Sequence, residues 1–419
     1  MDQKVPDPIA TEPSTPELLD REHFIPLGRA ELFNLLPEIS SCSESEQIQL
    51  REFFQVLEAW VHYQYHGQSI EIQKLYQPLD PDSEFKFSGL TVDSPDQRSK
   101  HVFSRLQFLL ERANYRKLSQ DELELAVENA SVLGIRLKVN LDLFEDLNIY
   151  ARGNRVETWT KRTWWKFFRK EKFQVDVYQR LVIAFRLREH KLLSEDQATD
   201  VVYIKSFKSI PHTDMHALLP GTQIKMSLVD QGKIILPTLS GVAVNLFKLF
   251  RFLMLITVFA TIFSTLQFTG LLIGVGLYVA KGIYSYIQTK DKHLLNLTRH
   301  LYFQNLDNNS GVVLRVLSEA ESQDLREMMF AYYILWRFGQ TNGLSSAELD
   351  GIAESHLQGT TELEIDFEVE DALHQLESLQ LIYPENDRWH ATKIDEALRN
   401  LDFRWDSVFP YHGKPRQTR

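Results

Sequence analysis

One stretch constrains this chain more than any other. FLMLITVFATIFSTLQFTGLLIGVGLYVA, Phe252 to Ala280, contains no charged residue. A run of about 18 or more such residues is a membrane-span candidate, because a Lys, Arg or Asp at mid-bilayer costs ~2.5–3.5 kcal/mol. The run therefore predicts a membrane protein with soluble parts around one hydrophobic insert. As a single helix it would extend roughly 43 Å, against a hydrocarbon core of roughly 30 Å. Two arms, about Asn245–Leu266 and Leu271–Ile287 with a turn at Gln267–Gly270, fit that thickness better. Lys233, Lys248 and Arg251 precede the run, and Lys281, Lys290, Lys292 and Arg299 follow it. Basic flanks on both sides favour a hairpin over one crossing, with both soluble parts facing the cytoplasm. Gly270, Gly274, Gly276 and Ala280 form small-xxx-small pairs. They suit helix contacts within the hairpin or between copies in a homo-oligomer, or reflect only that Gly is frequent in membrane helices.

The remainder has the composition of globular material. Of 419 residues 43% are hydrophobic and 25% charged, enough for two or three cored domains of ~100–200 residues each. The net charge of −11 argues against general nucleic-acid affinity. Cys42 is the only cysteine, so no disulfide can form within the chain. The first twenty residues lack the apolar core of a signal peptide and the arginines of a transit peptide. They predict a disordered leader.

The expected fold class is an α+β membrane protein. Residues 21–135 read as helical, with a helix from Ser43 ended by Gly67, a second around Val102–Arg116, and a capping box at Ser119 and Glu122. From Arg136 apolar and polar positions alternate through Gly153, and the segments from Phe173, Val201 and Thr222 read as further strands, so residues 136–240 predict a β-rich α+β domain with a short helix at Thr213–Leu219. The transmembrane hairpin takes 241–290. Membrane-proximal helices take 291–321, with a polar break at Asp307–Gly311 and helices at Val312–Ala320 and Asp324–Phe338. Residues 322–402 follow the order helix, helix, helix, strand pair of a winged-helix-like domain, and 403–419 form a tail.

The second outlier is RGNRVETWTKRTWWKFFRKEK, Arg152 to Lys172. Eight basic residues stand there against Glu157 and Glu171, a local net of +6. Lys161, Arg162, Lys166, Arg169 and Lys170 interleave with Trp164, Trp165, Phe167 and Phe168. Trp favours the headgroup level, and each cation gains ~1 kcal/mol near anionic lipid. This predicts a strand-connecting arm resting on an anionic lipid bilayer. Nucleic-acid contact, or a hairpin with core aromatics and solvated charges, are the other readings.

Winged helices often read DNA, but residues 322–402 hold seventeen acidic and five basic residues, a net of −12. The helix that would enter the groove carries Glu368, Glu370, Asp371 and Glu377. A polyanion would repel it, so the module predicts a contact with an unknown protein partner, not with nucleic acid. His212 and His216 flank Asp214 but lack a third ligand, so no metal site is expected; two surface histidines are the simpler reading. No catalytic residue and no cofactor are assigned.

Three segments carry a resemblance: VYIKSFKSIPHTDMHALLPGTQIKMSLVDQGKIILPTLSG, LTRHLYFQNLDNNSGVVLRVLSEAE and IDFEVEDALHQLESLQLI. From about Arg21 onward the chain resembles an uncharacterised membrane protein family, the domain of unknown function 3754, to which transmembrane protein 143 of animal mitochondria belongs. The resemblance implies a membrane protein without an established activity. The leader departs from the mitochondrial members, which implies a bacterial inner or thylakoid membrane. The reading is a membrane-anchored adaptor or scaffold, with two alternatives: an enzyme acting on a lipid or peptide at a membrane, or a small transporter subunit.

Overall fold

The computed structural model describes mainly residues 43–84, 94–119, 136–162, 170–190, 198–225, 303–361 and 365–409, with short pieces and single positions between them. Helix α1 spans Glu44–Tyr76. Ser43 starts it: its hydroxyl accepts from the Glu46 N–H, and the Glu46 carboxylate accepts from the Ser43 N–H at 2.8 Å. That pairing satisfies two amides at the helix end. The helix runs through Gly67, around which nothing would crowd a Cβ, and stops where Pro78 follows. Leu50, Phe53, Phe54, Leu57, Val61, Tyr65, Ile72 and Tyr76 form its buried stripe. Helix α2, Pro95–Arg112, is capped by Ser94 and has Pro at its first position, where no N–H is missed.

A five-stranded antiparallel sheet follows. Its strands are β1 (Arg116–Lys117), β3 (Phe144–Arg162), β4 (Lys170–Leu187), β5 (Tyr203–Pro211) and β7 (Asn305–Asn308), in the order β1-β3-β4-β5-β7. The short strands β2 (Arg136–Lys138) and β6 (Gln223–Lys225) pair separately. Both faces of the sheet are covered. Tyr150, Val182, Ala184, Val202 and Ile204 face the helices, while Leu181, Ile183, Phe185, Phe207 and Ile210 face a second cluster closed by the 3-10 turn His212–Leu218. Burial on two sides is why LVIAF in β4 is an unbroken apolar run.

Helix α3, Ser310–Ile334, is the axis of the molecule and packs against α1, α2, the sheet and the C-terminal module. That module contains α4 (Ser346–Thr361), α5 (Val369–Ser378), the hairpin β8 (Ile382–Glu385) and β9 (Arg388–Ala391), and α6 (Ile394–Val408). A bridge between Leu344 and Trp389 ties the hairpin to the turn before α4. Gly343 makes that turn possible. Its φ is +63°, and a Cβ would lie 2.6 Å from His390 Nε2 and 2.9 Å from the Trp389 carbonyl oxygen.

Several expectations are corrected. The fold is α+β with a β-rich middle sheet, but among the described residues no helix is long and apolar enough to cross a membrane. Among the described residues, the two longest helices carry charge along their length, α3 through Arg315, Glu319, Glu321, Asp324, Arg326 and Glu327. The membrane-protein class with its transmembrane hairpin is therefore withdrawn. Within the uncharged run the described positions Ile273, Leu277 and Ala280 are helical and exposed; Gly270, Gly274 and Gly276 lie outside the described residues, as does the leader. The expected polar break at Asp307 is a sheet strand, β7, followed directly by α3. The two helices expected at Val312–Ala320 and Asp324–Phe338 are one, followed by a π turn at Leu335–Gly339.

One continuous hydrophobic cluster includes Phe53 of α1, Leu106 of α2, Val182 of β4, Met328 of α3 and Leu376 of α5. Truncating a fully buried leucine costs ~2–5 kcal/mol. Leu376→Ala is therefore expected to lower the denaturation midpoint of the whole chain. Tryptophan fluorescence near Trp60 and far-UV circular dichroism should shift together; an unchanged fluorescence transition would refute the shared core.

Candidate functional site

The most unusual chemistry lies on α3. Glu319, Gln323 and Glu327 recur every fourth residue, so they share one helix face, with Asp324 beside them. Asp324 is 2% and Glu327 3% exposed. Buried carboxylates need partners, and three elements supply them. The Tyr65 hydroxyl of α1 donates to Asp324 Oδ2 at 2.5 Å, and Arg112 at the end of α2 donates to the same oxygen from Nε at 3.2 Å and Nη2 at 2.5 Å. Gln323 Nε2 and Asn114 Nδ2 donate to Glu327 Oε1 at 2.7 and 3.2 Å. Asn114 follows α2 with φ +57°, a left-handed turn that Asn tolerates, and this places its amide near α3. One turn earlier, Glu319 Oε2 accepts from the Tyr115 hydroxyl at 2.7 Å and pairs with Arg152 at 3.1 Å. The Arg152 guanidinium also lies over the Tyr115 ring, 4.6 Å from its centre.

Burial sets the protonation. It pushes the Glu327 carboxyl up to about 8, against the hydrogen bonds from Gln323 and Asn114, with Asp324 and Glu368 adding to the rise. Glu327 is thus mostly neutral at pH 7. Burial also raises Asp324, although Arg112 and Tyr65 oppose it. Tyr65 and Tyr115 are both pushed above the ordinary tyrosine range by burial. A cavity of ≈ 450 Å³ adjoins this row, lined by Phe108, Glu111, Arg112, Asn114, Tyr115, Arg116, Glu368 and Asp371. The donors nearest the carboxylates are already committed to them, so the row's chemistry is to clamp α1, α2 and β3 onto α3. Among the described residues no group of three or more His, Cys, Asp or Glu could hold a metal ion.

A second polar joint sits where β7 meets α3. Asn309, with φ +49°, exchanges two hydrogen bonds with Ile204 of β5. One is made by the backbone, the Asn309 N–H donating to the Ile204 carbonyl at 2.6 Å, and the other by the side chain, Asn309 Oδ1 accepting from the Ile204 N–H at 3.2 Å. Its Nδ2 donates to Asp82 at 2.6 Å, and Ser310 donates to Asp80. This joint anchors the start of α3 to both the sheet and the turn after α1.

The residues singled out in the sequence fall elsewhere. Lys161, Arg162 and Lys170 end β3 and begin β4, in register as Lys161↔Glu171 and Arg162↔Lys170. Trp164, Trp165, Lys166, Phe167, Phe168 and Arg169, between them, lie outside the described residues. Among the described residues, β3 and β4 pair only with each other from Val156↔Asp176 to Arg162↔Lys170, since β5 joins β4 from Val177 and β1 meets β3 at Tyr150 and Ala151. Those seven pairs extend about 23 Å at ~3.3 Å per residue. His212 and His216 are not the surface pair expected: His216 is buried, and His212 stacks on Tyr178 with ring centres 3.9 Å apart. The carboxylate row was missed. Its only signal in the sequence is the acidic spacing in EAESQDLREMMFAYYILW, where the helix around it is otherwise strongly apolar.

Residues 178–311 match the protein family described as Protein of unknown function (DUF3754). The match begins in β4 and ends at Gly311, so it takes in β5, β7 and the Asn309 joint. It is shorter than the resemblance drawn from the sequence, and the α3 carboxylates lie beyond it. No solved structure matches the chain.

The site carries a pH prediction. A carboxyl whose folded pKa is about 8, against an ordinary 4.5, binds its proton in the folded state while the unfolded state has lost it. Stability from this group is complete below pH 4.5 and declines as pH rises through about 8. Glu327→Gln is expected to remove that decline, so that it exceeds the wild type in denaturation midpoint at pH 8 by more than at pH 5. Parallel pH profiles of the two proteins in urea would contradict the assignment.

Proposed function

We propose that the protein is an adaptor that joins an anionic surface to a basic segment of a partner protein. The observation that carries this reading is the separation of formal charge between two parts of one fold. The β3–β4 ribbon and its connection, Arg152 to Lys172, hold a net of +6, while residues 322–402 hold −12. The exposed residues of α5 include Glu370, Asp371, His374 and Glu377, and its apolar residues Val369, Ala372, Leu373 and Leu376 are buried. Between α4 and α5 lies a cavity of ≈ 610 Å³ lined by Asp350, Asp366, Glu368, Glu370 and Asp371, with no Lys or Arg among its described lining residues. Such a surface favours Lys- and Arg-rich peptide and disfavours nucleic acid. At the other end, Lys161, Arg162 and Lys170 stand beyond the supported part of the sheet, where a two-stranded ribbon can reach phosphate-bearing headgroups.

Two experiments check the two ends. The intact protein is expected to sediment with phosphatidylserine-containing vesicles and not with neutral ones. Replacing Lys161, Arg162 and Lys170 together by Gln should weaken that binding about tenfold or more, at ~1 kcal/mol per cation; equal binding by both proteins sinks the ribbon's role. A photo-cross-linker at His374, used in the cells that make the protein, should capture a partner through a basic peptide. Glu370→Lys with Asp371→Lys should abolish the capture, and survival of the cross-link would place the partner elsewhere.

A further inference from the structure

Among the described residues, nothing covers one face of helices α1 and α6. Ile48, Glu52, Gln55, Val56, Ala59 and Tyr63 recur at helical spacing on the exposed side of α1. Beside them α6 presents Leu398, Arg399, Asp402 and Trp405, with Phe409 just past its end. Between the helices is a groove of ≈ 570 Å³ walled by Val56, Ala59, Trp60, Leu398, Leu401 and Trp405. Trp405 meets Trp60 and Tyr63 edge-on, with ring centres 6.2 and 5.6 Å apart, yet remains 47% exposed. Ile48 and Phe409 are each 61% exposed. The Trp60 indole N–H is buried and meets no acceptor among the described residues.

We infer that this α1–α6 face is the two-fold contact between two copies of the chain. Charge selects the occupant. Glu52 and Asp402 stand on the groove's edge with Arg399 beside them. A basic helix would meet Arg399, and an acidic one would meet the two carboxylates. A second copy turned by a two-fold axis presents both signs at once, so each Arg399 reaches a carboxylate of the other copy while the tryptophans and Val56 are covered. Two helices from each copy then pack as four, which covers a two-helix face without any further element. Tyr and Trp anchors near the middle of such a patch, rimmed by charge, are the usual composition of a strong contact. The inference is independent of the adaptor reading, which uses the α4–α5 cavity and the ribbon.

Sedimentation velocity of the full chain tests it, with circular dichroism as a control for folding. The wild type is expected to be a dimer. Ala59→Glu, at an exposed position, should shift the dimer to monomer by at least about tenfold in dissociation constant, as expected for a charge buried in a contact. Arg399→Glu should weaken the dimer likewise, and Glu52→Lys with Asp402→Lys added to it should restore association. A monomeric wild type overturns the inference. So does association that neither Ala59→Glu nor Arg399→Glu changes, or an Arg399→Glu loss that the opposite charges fail to recover.

Discussion

The structure turns on one buried charge. Asp324 sits in the middle of α3 at 2% exposure, and its carboxylate is held by Arg112 and Tyr65 from two other helices. A buried charge that loses its partner costs ~3–5 kcal/mol, so α1 and α2 cannot slide or rotate on α3 without that penalty. Buried ion pairs are weak sources of stability, because desolvation offsets most of their attraction. Their use here is register. The apolar stripe of α1 would pack against α3 in several offsets; Tyr65 on Asp324 selects one. Glu327 meets the same constraint differently, by remaining protonated and accepting from Gln323 and Asn114.

Features set by near neighbours were legible in the sequence. The Ser119–Glu122 box forms as its spacing requires, with the Ser119 N–H on Glu122 at 2.8 Å. The alternation ahead of Gly153 becomes the first part of β3, and the β-branched and aromatic stretch from Phe173 becomes β4. Features set by distant partners were not legible. Asn305–Asn308 has the composition of a loop and is a strand because β5, about a hundred positions earlier, offers an unpaired edge. Gly67 costs only ~1 kcal/mol within a helix, which the packing of α1 on α3 overrides. The gap expected between Ala320 and Asp324 is helical, since burial of Asp324 there depends on Arg112 and Tyr65, which are far away in sequence. Most of the uncharged run lies outside the described residues, and among the described residues no helix is long and apolar enough to cross a membrane.

The same axis ties the C-terminal module to the rest of the fold. The buried residues of α3 run from Val312 to Ile334, and its contacts reach α1, α2, the sheet, α4 and α5. The C-terminal module is therefore not an independent reader on a tether. Its acidic α5 surface is held at a fixed place relative to the β3–β4 ribbon, and a bridging role needs that fixed geometry. The candidate site clamps α1, α2 and β3 onto α3, whereas the proposed contacts use the α4–α5 cavity and the α1–α6 face.

The central claim is that the α3 clamp makes the N-terminal helices, the sheet and the C-terminal module one cooperative unit. Native-state hydrogen exchange on the unmodified protein tests it most directly. The account predicts that the slowest amides of α1, β4, α3 and α5 open with the same free energy and the same denaturant dependence, as expected for global unfolding. If α5 and α6 exchange through a separate opening of much lower energy while α1 and α3 stay protected, the module is hinged and the account is contradicted.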